Sequence, residues 1–194
     1  MTELVRPDLR LRSSWIDAVA EFEAAGSTMH GSGLWDFEPL DLSAAAAPGV
    51  VAHLLAYADP GSELPADRVH CTYFWIVDDS GDEEEFVGYL ALRHSLTPWL
   101  LEEGGHIGYS VRPSRRREGH ASRALAMAVR RAAGLGLDRV LVTCEEDNVG
   151  SRRTIEGAGA SYEDSRNGRR RYWIATTGEQ PAGHARAEAS TRLA

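Results

Sequence analysis

Trp15, Ile16, Val19, Ala20 and Phe22 recur at the spacing of one helical face, which predicts a helix over Ser14–Ala25 that Gly26 stops. A second helix is predicted from Pro48 to Tyr57, with proline in its first turn and Asp59-Pro60-Gly61 behind it. The rhythm then changes. Thr72–Val77 (TYFWIV) is aromatic and β-branched, stops at the turn cluster Asp78-Asp79-Ser80-Gly81, and is answered by Glu85–Arg93 as the returning strand of a hairpin. His106–Val111 reads as a third strand, entered through Gly104-Gly105 and closed by Pro113, which cannot donate to a ladder. Helical spacing returns with Ala121, Leu125, Ala128, Val129 and Ala132, predicting a helix over His120–Leu135 with Gly134 and Gly136 at its end. Arg139–Cys144 is a short buried strand and Asn148–Ala158 a short helix. Ala160–Glu163 and Arg169–Thr176 flank Arg166-Asn167-Gly168, a strong hairpin signal. Two helices, three strands, a helix, a strand, a helix and two strands make a mixed α/β sheet.

Composition narrows the class. The 194 residues suit one domain, expected over 1–176, and the polar, small-residue tail 177–194 is expected to be disordered. At 43% hydrophobic and 26% charged, the chain is ordinary for a globular protein. A net charge of -8 argues against a general nucleic-acid partner, which would need a basic face. The 2 cysteines, Cys71 and Cys144, form neither a disulfide framework nor a metal spacing, so no metal is expected. The N-terminus lacks the apolar core of a signal peptide, and the most apolar stretch, Ala44–Ala58, is broken by Pro48 and His53. No membrane association and a cytoplasmic location are therefore expected.

Charge is spread unevenly: Arg112, Arg115, Arg116 and Arg117 crowd one short segment of an acidic chain. In Val111–Leu125 (VRPSRRREGHASRAL) a strand ends, an arginine loop follows, and Gly119 and Ala121 open a helix. The free N–H groups of a helix start, with roughly half a positive charge from the dipole, make an anion site. Gly119 lets the backbone approach a ligand, and Arg116 and Arg117 supply charge-assisted contacts to phosphate oxygens. A nucleoside-triphosphatase loop would need lysine and then Ser or Thr after its last glycine, and a dinucleotide fingerprint would need three glycines; neither is present.

Arg116-Arg117-Glu118-Gly119-His120-Ala121 resembles the R/Q-x-x-G-x-G/A signature of the GCN5-related N-acetyltransferase (GNAT) superfamily. Asn148-Val149-Gly150-Ser151, followed by Gly159, is similar to that superfamily's second block, and the order of elements agrees from about residue 10 to residue 176. The resemblance implies a mixed, mostly antiparallel central sheet of about six to seven strands, flanked by about four helices and splayed at the cofactor site. It also implies a transferase that moves the acetyl group of acetyl-CoA to a small-molecule, peptide or protein amine, as a monomer or homodimer. The N–H groups of Gly119, His120, Ala121 and Ser122, with Arg116 and Arg117, would hold the coenzyme A pyrophosphate. Unpaired backbone groups of Val111 would bond the pantetheine arm like an added strand. Asn148 would touch the pantetheine, and Ser151 would lie close to it.

Acetyl transfer needs a neutral amine, help for the oxyanion and a proton for the thiolate. The tyrosine that many superfamily members place seven residues after the asparagine is Ile155 here, so the acid must come from elsewhere. His106 at the start of the third strand is the candidate base, against a surface histidine as the plainer reading. Tyr109 is a candidate proton donor or else a core tyrosine, and Glu145, with Glu146, a candidate relay or else a solvated strand end. Nothing near Cys144 lowers its pKa, so direct attack in a ternary complex is preferred to an acyl-cysteine. The acceptor pocket is expected from the early helices, Trp35 and Asp36 of the Ser27–Leu42 loop, and Arg93-His94, with Asp36, Glu38, Glu102 and Glu103 attracting a cationic amine. A catalytically silent acyl-CoA sensor and a partner-binding domain that holds another anion are the alternatives.

Overall fold

The run Cys71–Asp78 forms β2 and returns as β3, Glu85–Arg93, with Cys71 opposite Arg93 and Asp78 opposite Glu85. The computed structural model describes residues 1–177. Alternate side chains feed two cores. Phe74, Ile76, Leu90 and Leu92 join Leu125 and Ala128 on one face, whereas Tyr73, Trp75, Tyr89 and Ala91 join Trp15, Phe22 and Leu54 on the other. Burial on both faces explains why these strands read as nearly continuous apolar runs.

With Thr2–Val5 as β1, the sheet has seven strands in the order β1-β2-β3-β4-β5-β7-β6. β4 is Ile107–Val111, β5 Arg139–Glu145, β6 Ser161–Arg166 and β7 Arg169–Ala175. Every neighbouring pair is antiparallel except β4 and β5. Helices α1 (Arg12–Ala24) and α2 (Ala47–Ala56) cover one face, and α3 (His120–Gly134) and α4 (Val149–Gly157) the other. Asn167 and Gly168 both take positive φ at the β6–β7 turn, as the Asn-Gly signal requires.

The structure adds a strand at the start. β1, Thr2–Val5, pairs with the end of β2, and the Met1 amine closes on Asp78 at 3.0 Å. The tail expected from 177 onward lies outside the described residues, Thr177 excepted. Among the described residues, no helix is long and apolar enough to cross a membrane.

Candidate active site

β4 and β5 meet only where Ile107 faces Val142. On its other side β4 pairs with β3 along its whole length, from Ile107 opposite Leu92 to Val111 opposite Gly88. The Arg112 N–H donates to the Val87 carbonyl, so Gly88 and Val111 are a non-hydrogen-bonded pair. Backbone groups of Val111, and by alternation of Tyr109, therefore point away from β3 into the opening beside β5. The Val111 carbonyl accepts from Arg116 Nε at 3.0 Å, so the Val111 N–H remains as the free group there. The result is a wedge-shaped split whose apex is at Ile107 and Gly108.

The split opens toward the start of α3. Gly119 caps that helix in the left-handed region (φ 82), with no side-chain cap. Among the described residues, the N–H groups of Gly119, His120, Ala121 and Ser122 find no acceptor in the protein. The four arginines upstream divide into two pairs. Arg112 is buried and ion-paired with Glu21 and Glu85, while Arg115 pairs with Glu85, Asp78 and Glu118. Arg112 first of all holds the Glu21 carboxyl down to about 2. Arg116 and Arg117 form no ion pair with a described residue and flank the free amides, Arg117 itself at positive φ. The His120 ring is turned inward, Nδ1 to Thr2 Oγ1 at 2.8 Å and Nε2 to Glu118 at 3.3 Å, so only its N–H faces the anion site.

Across the split, Asn148 caps α4 by accepting the Ser151 N–H at 2.9 Å. The Asn148 amide nitrogen and the second lone pair of Oδ1 remain without a partner among the described residues. Tyr109 reaches from β4 to Ser151 Oγ at 2.9 Å, and burial pushes its hydroxyl up to about 12 against the Ser151 hydrogen bond. Ile155 is fully buried in the core beneath. Cys144 is buried, and its thiol is pushed up, chiefly by burial, which disfavours the thiolate.

His106 does not fit the part of a base. It is buried, its Nδ1 accepts the Leu141 N–H at 2.9 Å, and its own N–H donates to the Leu141 carbonyl at 2.7 Å. Its lone pair is spent pinning β4 to β5 just below the apex. Burial, with the charge of Arg93, lowers the imidazole to about 4.

The opposite face of β4 is covered by the loop after α1. A Cβ on Gly31 would overlap the Gly108 carbonyl, and Ser110 Oγ donates to the His30 carbonyl at 2.8 Å. This seats His30 beside the split on the side away from α3. The imidazole of His30 is lowered chiefly by loss of water, with Glu145 acting upward and Arg169 and Arg93 downward. His30 is itself exposed, so its ring is open to an incoming ligand. No periodic or motif signal marks His30 in the sequence; only the close packing of Gly31 on β4 singles it out. Glu145 is half-exposed at the end of β5, 3.6 Å from Arg169.

Beside this loop lies a cleft of about 620 Å³, walled by Trp35, Tyr57, Tyr73, Trp99, Arg68 and Arg93. Two of the four expected acceptor residues, Trp35 and Arg93, line it. The other two do not. Asp36 is engaged by Arg68 at 3.3 Å, His53 at 3.4 Å and the Tyr57 hydroxyl at 3.4 Å, and does not line the cleft. His94 follows Arg93 in an extended chain and so points to the other face, bonding Thr72 at 2.8 Å. Glu102 and Glu103 are likewise spent, on Arg166 and on Arg169 with Asn167. Among the described residues, no group of three or more His, Cys, Asp and Glu is arranged to hold a metal ion.

A family model described as "Acetyltransferase (GNAT) domain" matches residues 29–161. Comparison with curated proteins gives no match. Among solved structures, the chain is similar to Mycobacterium smegmatis RimJ in complex with CoA-disulfide, at 21% identity and TM-score 0.63, covering 90% of this chain and 81% of that one. It is also similar to the microcin C7 self-immunity acetyltransferase MccE with acetyl-CoA and AMP (13%, TM-score 0.59, covering 90% and 92%). A Salmonella typhimurium acetyltransferase that modifies the N-terminal serine of ribosomal protein L7/L12 matches at 15%, TM-score 0.58, covering 90% and 94%. At these identities the likeness is one of fold.

Proposed function

The chain belongs to the GNAT family of acetyl-CoA-dependent acyltransferases, and from that premise we propose that it acetylates a primary amine by direct attack in a ternary complex. The observation that carries this reading is the pairing of a split sheet with unbonded amides at its mouth: β4 and β5 part beyond Ile107, and Gly119–Ser122 offer N–H groups with no acceptor in the described protein. Those amides, with Arg116 and Arg117, fit a diphosphate. The free Val111 N–H and the Tyr109 backbone fit an amide-bearing arm laid along β4. Bound there, acetyl-CoA supplies an acyl thioester at the apex of the split.

The remaining work falls to side chains on the two faces of β4. His30 takes the proton of the incoming ammonium, so that the nitrogen attacks as a free base, and Glu145 balances the imidazolium across the split. A C–N bond forms as the C–S bond breaks, and the second proton shed by the nitrogen passes through water to restore the Tyr109 hydroxyl. Tyr109 remains protonated through the neutral range and donates to the departing sulfur, with Ser151 behind it. It fills the part left open at Ile155.

Thermal shift with acetyl-CoA and coenzyme A, followed by thiol release over an amine panel, tests the reading. We expect stabilisation by both and amine-dependent thiol release, whose kcat is at least about tenfold lower in His30→Gln with acetyl-CoA binding unchanged. Stabilisation without thiol release from any amine would return the chain to a silent acyl-CoA sensor.

A further inference from the structure

The cleft on the α1–α2 face carries chemistry that general acetyl transfer does not require. Its walls are aromatic. Trp35 and Tyr73 meet edge to face at 6.4 Å, Tyr57 and Tyr73 at 5.6 Å, and the exposed Trp99 (64%) stands at the far lip. Trp35 carries the Arg68 guanidinium over its ring at 5.2 Å, and the two exposed indoles border one concavity as apolar surface that a ligand can cover.

Its charge is the second observation. Arg68 is paired with Asp36, whereas Arg93 has no carboxylate partner among the described residues. Arg93 Nη1 donates to the carbonyls of Gly104 (3.1 Å) and Gly105 (3.0 Å), which leaves Nη2 and Nε without an acceptor there. Position is the third. The guanidinium sits 3.6–3.7 Å from where a Cβ would stand on Gly108, at the apex of the split. One cation with free donors therefore stands between the aromatic cleft and the point where the acyl carbon would arrive.

We propose that the acceptor is an α-amino acid, or a compound built like one, whose aromatic side chain fills the Trp35–Trp99 cleft while its carboxylate is held by Arg93. The carboxylate of such a molecule lies two bonds from its amine. Anchoring it on Arg93 beside Gly108 sets the nitrogen over the split, within the field of His30. The assignment rests on the acetyl-transfer reading above and adds the substrate class to it. It differs from the expected attraction of a cationic amine by acidic residues: the amine is delivered by anchoring the opposite end of the molecule.

The test is acetyl-CoA-dependent thiol release with phenylalanine and tryptophan, their amides, the decarboxylated amines phenethylamine and tryptamine, and a peptide beginning with phenylalanine. The free acids are expected to exceed their amides and decarboxylated partners in kcat/KM by about tenfold to a hundredfold, the range of a charge-assisted pair. Arg93→Gln should erase that ratio. Because Arg93 also ties down Gly104 and Gly105, Trp99→Ala provides a second variant: KM for the aromatic acids should rise several-fold with acetyl-CoA affinity intact. Equal or better rates with the amides, the decarboxylated amines or the peptide overturn the substrate class while leaving acetyl transfer standing. Failure to bind acetyl-CoA overturns both.

Discussion

At the scale of single residues, the same side-chain chemistry does different work depending on which way a strand turns it. His106 shows this most clearly. It begins β4, where a base could stand, yet its ring replaces a backbone partner for the Leu141 N–H. The folded protein holds it neutral, near 4, while the unfolded chain takes up a proton near the ordinary 6.5. The unfolded state therefore binds the extra proton first. Stability contributed by His106 is whole above about 6.5 and drains as the pH falls through about 4. Glutamine can accept the same N–H without titrating. His106→Gln should fold and show a flatter Tm between pH 7 and pH 4 than the parent, whereas parallel curves would refute the role. The expectation of a catalytic His106 failed because composition and spacing do not say whether a strand-end ring faces water. The pairing of Arg93 with His94 failed for a reason the alternation of an extended chain already contains: neighbours point to opposite faces.

At the scale of elements, the strand–loop–helix unit from β4 to α3 was legible because its signals are local. Pro113 ends a strand, Gly119 supplies a left-handed cap, and the arginines cluster beside it. The split itself was not legible as geometry, since strand spacing does not reveal which neighbours remain unpaired; it entered only through the family resemblance. β1 was missed for a related reason. Four residues carry little periodic signal, and Thr2–Val5 is a strand only because the end of β2 offers an unfilled edge and Asp78 a partner for the Met1 amine. Across the split, the Tyr109–Ser151 pair is the element-scale feature to test. Tyr109→Phe should lower kcat by about a hundredfold, in the range of general acid catalysis, and leave the acetyl-CoA Kd within about twofold. Equal loss of affinity would make Tyr109 a packing residue.

At the scale of the whole molecule, one ionic network centred on the buried Arg112 binds the pieces that carry the anion site. Arg112 and Arg115 gather Glu21 from α1, Glu85 from β3 and Asp78 from β2, and Asp78 in turn holds the Met1 amine beside β1. Burial acts to raise Asp78, but the Met1 amine, Ser80 and Arg115 together hold its carboxyl well below the usual range. The network ties the β1–β3 side of the sheet and α1 to the arginine segment that precedes α3. Removing its buried member strands the carboxylates around it. Arg112→Ala should cost about 3 kcal/mol in urea unfolding, the usual penalty for breaking a buried pair, whereas Arg117→Ala, at an exposed position, should cost little stability.

The central claim is that unbonded backbone amides on β4 and at the start of α3 are the two halves of one coenzyme site. Backbone hydrogen exchange, followed with and without saturating coenzyme A, addresses it directly. Segments 107–111 and 119–122 should gain protection together on binding, while α1 exchanges as before. If coenzyme A saturates the protein and the amides of both segments exchange as fast as in its absence, the coenzyme lies elsewhere and the account is wrong.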